Sequence, residues 1–386
     1  MIHVWFRVNV TDEKAGVEVL IYLGCCTVLA FAVAILLALR GEAPAAAAHA
    51  AFAAGAMPLI FAAMGHFVPV LTRSAGAEPR IGRLPLGLQG AGILVTGVLA
   101  GAFPGAALHA ALALGLAASA GMLVWVLGRG RQALGRPHPG LYWYVAALGC
   151  LLLALLAIVT GLLWPAVYPL ARLAHLHLNT LGFIGLSAIG TLHVLMPTAL
   201  GQPDPQVASR LKRQLPWMLG GVAATVLACG LPGMSLPAAV LVGGVASITV
   251  TGWLGSHGIK RLLGDGVATS LLVATVGLAS LAAMGAAHGL GWMPGRPAVA
   301  AFFVLFLLPL VTGALSQLLP VWRHPGPLTP ARTTLRTRLA RSGGLRAALF
   351  LVGGLLLPIH GLLGAGLVAA GVLLFAVALA GGLVRR

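Results

Sequence analysis

Residues 17–39 read VEVLIYLGCCTVLAFAVAILLAL, with a single charged residue, Glu18. At about 1.5 Å of rise per residue, a helix of this length covers the roughly 30 Å hydrocarbon core of a bilayer. The same texture recurs down the chain. Of 386 residues, 59% are hydrophobic and 8% charged, and the mean hydropathy is +1.00. That leaves too little polar surface to wrap a water-soluble domain. Apolar runs at 17–39, 45–71, 84–103, 105–127, 141–164, 170–199, 215–232, 235–255, 267–290, 298–322, 345–361 and 363–383 predict about twelve spanning helices. The breaks carry Gly, Pro or charge, as at Gly41–Pro44, Pro165–Pro169 and Pro294–Pro297. The expected fold is all-α: a polytopic membrane protein forming one transmembrane domain over 1–386.

Cations set the expected orientation. With the N-terminus inside, every Lys and Arg except Arg40, Arg172 and Arg296 falls on the inner side. This positive-inside bias predicts that both termini are cytoplasmic, in a bacterial inner membrane. It also accounts for the net charge of +17. Cations at a membrane edge meet anionic lipid headgroups, so lipid rather than nucleic acid is the expected partner. The densest run, Arg323–Arg346, reads as an amphipathic or disordered cytoplasmic loop. The first 16 residues are polar and mixed, and no cleavable signal is evident. Cys25, Cys26, Cys150 and Cys229 have no CxxC spacing, which speaks against a disulfide framework or a thiolate metal site.

Three runs close alike. Residues 65–71 read GHFVPVL, 192–198 LHVLMPT and 316–322 SQLLPVW. Pro69, Pro197 and Pro320 stand 128 and 123 residues apart, with four predicted helices in each interval. His49 and His177 each lie 20 residues before their proline, and Ala300 holds that place in the third run. An even number of helices per repeat keeps the repeats parallel. Three repeats, approximately 17–140, 141–265 and 266–386, therefore imply a pseudo-threefold axis along the membrane normal.

Ionisable side chains inside a membrane are costly and point to function. The topology sorts His49, His109, His175, His177, His288 and His360 to the outer level. It sorts His66, His193 and His257 to the inner level. His175 and His177, two residues apart, point about 200° from each other around a helix, so one small metal ion cannot take both. Each can serve a different partner. Gly182, Gly185 and Gly190 remove bulk below them, for a neighbouring helix or a flat macrocycle. Imidazole suits haem iron and copper. His49, His175 and His177 are the main expected ligands, with His288 and His360 as further metal candidates and His66 and His193 as an inner-face pair.

The stretch 175–197, HLHLNTLGFIGLSAIGTLHVLMP, resembles the HxH…G…G…P helix of subunit I in haem-copper oxidases and nitric-oxide reductases. It also looks like the His-rich helices of NnrS-like haem- and copper-containing membrane proteins. The resemblance implies twelve helices in three arcs, and an HxH pair that ligates two haems from opposite faces of one helix. It also implies a second-helix histidine, matched here by His49, on a low-spin haem. The chain departs from the pattern in three ways. Its HxH lies in the sixth predicted helix rather than the tenth. It has no His-His pair or His-x-x-x-Tyr segment, and no buried acids for proton uptake. A proton-pumping oxygen reductase is therefore not expected. The resemblance implies a protein binding haem, of b type, with or without copper. Its role would be electron transfer, or binding and detoxifying a diatomic gas such as nitric oxide. A separate protein would donate electrons or contribute haem. The rival expectations are a cofactor-free permease and a non-catalytic assembly or sensor subunit.

Overall fold

The computed structural model describes residues 10–295 and 298–384. His3 and Arg296 lie outside them. Among the described residues every regular element is a helix. The long ones are Val10–Leu39 (α1), Pro44–Thr72 (α2), Pro79–Leu99 (α3), Ala107–Arg131 (α4), Gly140–Leu163 (α5), Pro165–Ala199 (α6), Val207–Ala228 (α7), Pro232–His257 (α8), Gly266–Gly289 (α9) and Ala298–Arg323 (α10). Pro330–Ala340 (α11), Gly343–Leu356 (α12) and Gly361–Val384 (α13) complete the chain. Eleven helices are long and apolar enough to cross a membrane, counting Pro330–Leu356 as one. The chain is a multi-pass membrane protein.

The expected span at 215–232 is not among the eleven. It forms α7, whose first turns carry Arg210, Lys212 and Arg213 and so shorten its apolar stretch. The run 323–346 also differs from its reading as a loop. Most of it is helical, with Leu335, Leu339 and Arg346 buried.

The chain forms two compact units, 1–148 and 149–386, divided within α5. In the first, α3 pairs with α4, and α1 and α3 both pack on α2. In the second, α7 pairs with α8, α8 with α9, α9 with α10, and α12 with α13. Three helices are the most buried of the spans. The apolar windows of α2, α6 and α10 are 67%, 78% and 78% buried, against 28–39% for all other spans except α9, at 61%. The sequence gives these three a common closing proline. They also share a backbone irregularity: each opens into a π-helical segment, at Ala50–Ala56, Leu178–Gly185 and Phe302–Leu307.

Proline accounts for two of these segments. Pro58 and Pro309 sit just past them and have no N–H to give, and an ordinary turn would drive each ring into the carbonyl four residues back. Widening the turn relieves that clash. The freed carbonyls are met by small neighbours. Within the first of these segments Thr27 donates to Gly55 O at 3.0 Å, although that carbonyl is not the one Pro58 leaves without a donor. Glycines close the rest: a Cβ on Gly92 would stand 2.3 Å from the Ala53 carbonyl, and one on Gly277 2.0 Å from Leu305 O. The α6 segment has no such proline, and the structure gives no physical account of its widening.

One end of the second unit is tied by charge. Arg336 donates from Nε to Gln317 Oε1 at 2.8 Å, and from one terminal nitrogen to Ala199 O at 2.8 Å and Asp265 Oδ2 at 2.9 Å. Asp265 in turn caps α9, accepting from the Val267 and Ala268 backbone N–H groups. One guanidinium thus joins the ends of α6, α9, α10 and α11. Both partners are about three-quarters buried. Arg336→Ala is expected to cost about 2 kcal/mol, because it strands a capping carboxylate and the last carbonyls of α6. Thermal unfolding in detergent measures this.

Candidate functional site

His49 ends the α-helical first turns of α2, and the π segment begins at the next residue. His177 stands in the same place in α6, directly before Leu178–Gly185. In α10 the corresponding position, before Phe302, is Ala301. The register counted from the prolines thus places both histidines at the mouth of a π segment, and in α10 it misses by one residue.

Hydrogen bonds fix the ring states of several histidines. His49 Nδ1 lies 2.8 Å from Ala45 O, and His175 Nδ1 lies 2.9 Å from Ala154 O on α5. A carbonyl only accepts, so Nδ1 carries a proton, and when the ring is neutral its lone pair is on Nε2. That is the form in which histidine ligates a metal, with its other nitrogen oriented by a carbonyl. His175 and His177 diverge, as their spacing requires. His175 turns to α5, whereas His177 is close enough to His288 of α9 for their charges to interact.

The remaining candidates are placed as follows. His288 is exposed and bound by its own turn: Nδ1 meets Met293 O at 3.0 Å, and Gly295 packs against Nε2. His360 is exposed in the turn before α13. His193 is buried, with Nδ1 on Ile189 O at 2.8 Å and with Gln214 beside it. His66, half-buried, has Phe67 at its edge. His138 opens α5 by accepting from the Gly140 N–H, and burial pulls its imidazole below the usual range, so the ring stays neutral and able to accept.

The glycines of α6 serve helix packing. A Cβ on Gly182 would lie 2.7 Å from Cys150 Cβ, and one on Gly185 3.4 Å from Met218. Gly182 and Gly185 thus each receive a neighbouring helix. No group of three or more His, Cys, Asp or Glu side chains suited to a metal occurs among the described residues.

No protein-family model matches the chain, and no curated protein is significantly similar to it.

Sequence reasoning missed one cluster. Arg210 pairs with Asp204 at 2.7 Å and donates to Ser256 Oγ at 3.3 Å. His257 meets Gln202 at 3.1 Å nearby, and Thr249 donates to Gln214 at 3.2 Å. The residues come from α7, α8 and the loop before α7. Nothing in their sequence spacing announces the cluster.

Proposed function

We propose that the chain is a histidine-ligated haem protein of a bacterial cytoplasmic membrane, related to oxidase subunit I and NnrS-like proteins. Its activity is electron transfer, or the binding and removal of a diatomic gas such as nitric oxide. The observation that carries this reading is the π-helical segment opening directly after His49 and again directly after His177. Such segments gather at functional sites, and the one after His177 has no proline behind it to account for its widening. The ring states of His49 and His175 support it, since both leave Nε2 as the basic nitrogen.

Haem fits the donor set better than bare copper does. A porphyrin supplies four nitrogens, so one or two imidazoles complete the iron, whereas a protein copper site draws all its ligands from side chains. Haem, if bound, would be held by His49 and His177 or His175, and would supply an iron able to pass single electrons or bind a diatomic gas. The chain's part is to hold neutral imidazoles in fixed orientation on buried helices. A separate protein is the proposed electron donor.

The topology belongs to the same proposal. α7 runs antiparallel to α8 along its length: Arg210 meets Ser256, Gln214 meets Thr249 and Gly221 packs on Val242. A helix in that register crosses whatever α8 crosses. Counting α7 gives twelve spans, the number that the proposed three parallel four-helix repeats with cytoplasmic termini require.

The test is an absorption spectrum of protein purified from haem-supplied cells. A Soret band is expected, shifted or reduced severalfold in His177→Ala and in His49→Ala and unchanged in His360→Ala. No Soret band and no copper by elemental analysis would remove the reading. The filling of Gly182 by Cys150 favours one alternative, a cofactor-free permease or assembly subunit on the same fold. Substrate uptake into vesicles that survives His177→Ala identifies the permease.

A further inference from the structure

A groove of about 640 Å³ runs between α7 and α8, and it belongs to none of the imidazole positions above. Its floor is glycine and valine, because a Cβ on Gly244 would meet nothing within 4 Å. Its walls are apolar and open: Val240 is 64% exposed and Ile248 59%. Val240 and Ile248 lie about 12 Å apart along one helix face, at 1.5 Å per residue. At the basic end stand Arg210, Arg213 and Trp217.

The two arginines differ in a useful way. Arg210 is held rigid over Gly252 by Asp204 and Ser256. Arg213 is exposed and makes no hydrogen bond or ion pair among the described residues. Lys212 beside it is exposed too. One carboxylate against three cations leaves this mouth positive. Trp217, 61% exposed, stands where the charged mouth meets the apolar channel. That is the position an indole prefers at a membrane interface.

We propose that this groove holds one anionic glycerophospholipid. Its phosphate sits on Arg213 and Arg210, its glycerol region lies against Trp217, and an acyl chain lies along Val240, Gly244 and Ile248. The shape selects lipid over free phosphate, since a small anion uses the arginines but leaves the apolar channel empty. Arginine suits the headgroup because its planar fork can give two parallel bonds to phosphate.

Native mass spectrometry of delipidated protein in detergent, with phosphatidylglycerol or phosphatidylcholine added, tests this. One phosphatidylglycerol is expected to be retained about tenfold more strongly than phosphatidylcholine. Arg213→Gln, at an exposed position that should not disturb folding, is expected to abolish that preference. Gly244→Leu fills the channel and is expected to weaken retention with both arginines intact. If Gly244→Leu fails to fold, Arg213→Gln carries the test alone. Millimolar inorganic phosphate is expected to leave the lipid bound. The proposal is overturned by equal retention of the two lipids, or by wild-type behaviour of Arg213→Gln. Wild-type retention by folded Gly244→Leu also overturns it, by reducing the site to a surface charge. Displacement by phosphate overturns the lipid assignment.

Discussion

Gly277→Ala is expected to be among the most damaging single-methyl changes in the protein, costing about 3 kcal/mol, at the upper end for overpacking. The added Cβ would stand 2.0 Å from Leu305 O and 2.6 Å from its carbonyl carbon. Those are backbone atoms of a π segment in the 78%-buried α10, so no side chain can swing aside. Pro309 explains why that carbonyl approaches so closely: four residues on, it has no N–H to draw the oxygen along the helix axis. Gly285→Ala on the same helix is the control. Its Cβ meets nothing within 4 Å, and helix propensity alone should make it neutral or stabilising by up to about 1 kcal/mol. Gly92→Ala in the first unit is expected to resemble Gly277→Ala, because it strikes the backbone of Ala53 and Ala54. Thermal unfolding in detergent ranks the three. Equal midpoints for Gly277→Ala and Gly285→Ala would refute the backbone contact.

The second large effect is expected at Arg346, whose side chain is completely buried. It donates to Leu339 O and Ser342 Oγ at 2.9 Å each and to Ser316 Oγ at 3.2 Å. Its guanidinium carbon lies 4.8 Å from the centre of the Phe375 ring. Among the described residues no carboxylate pairs with it. The cation therefore bears its desolvation cost against carbonyls, hydroxyls and one aromatic face. Arg346→Ala is expected to cost about 3–5 kcal/mol, by leaving a cavity and two buried acceptors without their donor. Arg346→Met keeps most of the volume and removes the charge, so it is expected to retain clearly more stability than Arg346→Ala. Thermal midpoints decide it, and a methionine variant no better than alanine would show that the hydrogen bonds, not the packing, hold this junction.

The positions of nearly all helices were legible in the sequence, because hydrophobic run length and Gly–Pro punctuation are local properties. The exceptions are α11, which lies in the basic run that reads as a loop, and the extent of α7. Its basic first turns fall below any apolar criterion, and only its register along α8 shows how far it extends. The placing of His49 and His177 at matched positions was also legible, from the distance to Pro69 and Pro197. Their surroundings were not. That Gly182 receives Cys150 and that His175 turns to Ala154 depend on how helices distant in sequence lie against one another. Arg336 and Arg346 show the same limit from the other side. In sequence they belong to one basic run, indistinguishable from Arg332 or Arg341. In the structure one ties four helix ends together and the other is sealed inside.

What the sequence determined by itself is a helical chain committed to a bilayer, with two histidines in matched register. These follow from the cost of hiding polar groups in hydrocarbon, which is settled residue by residue. The tertiary structure alone decided which helices lie deepest, where the backbone widens, and which arginines are structural. Those outcomes depend on contacts between segments far apart in the chain, and a carbonyl freed by Pro309 has no consequence until Gly277 is brought against it.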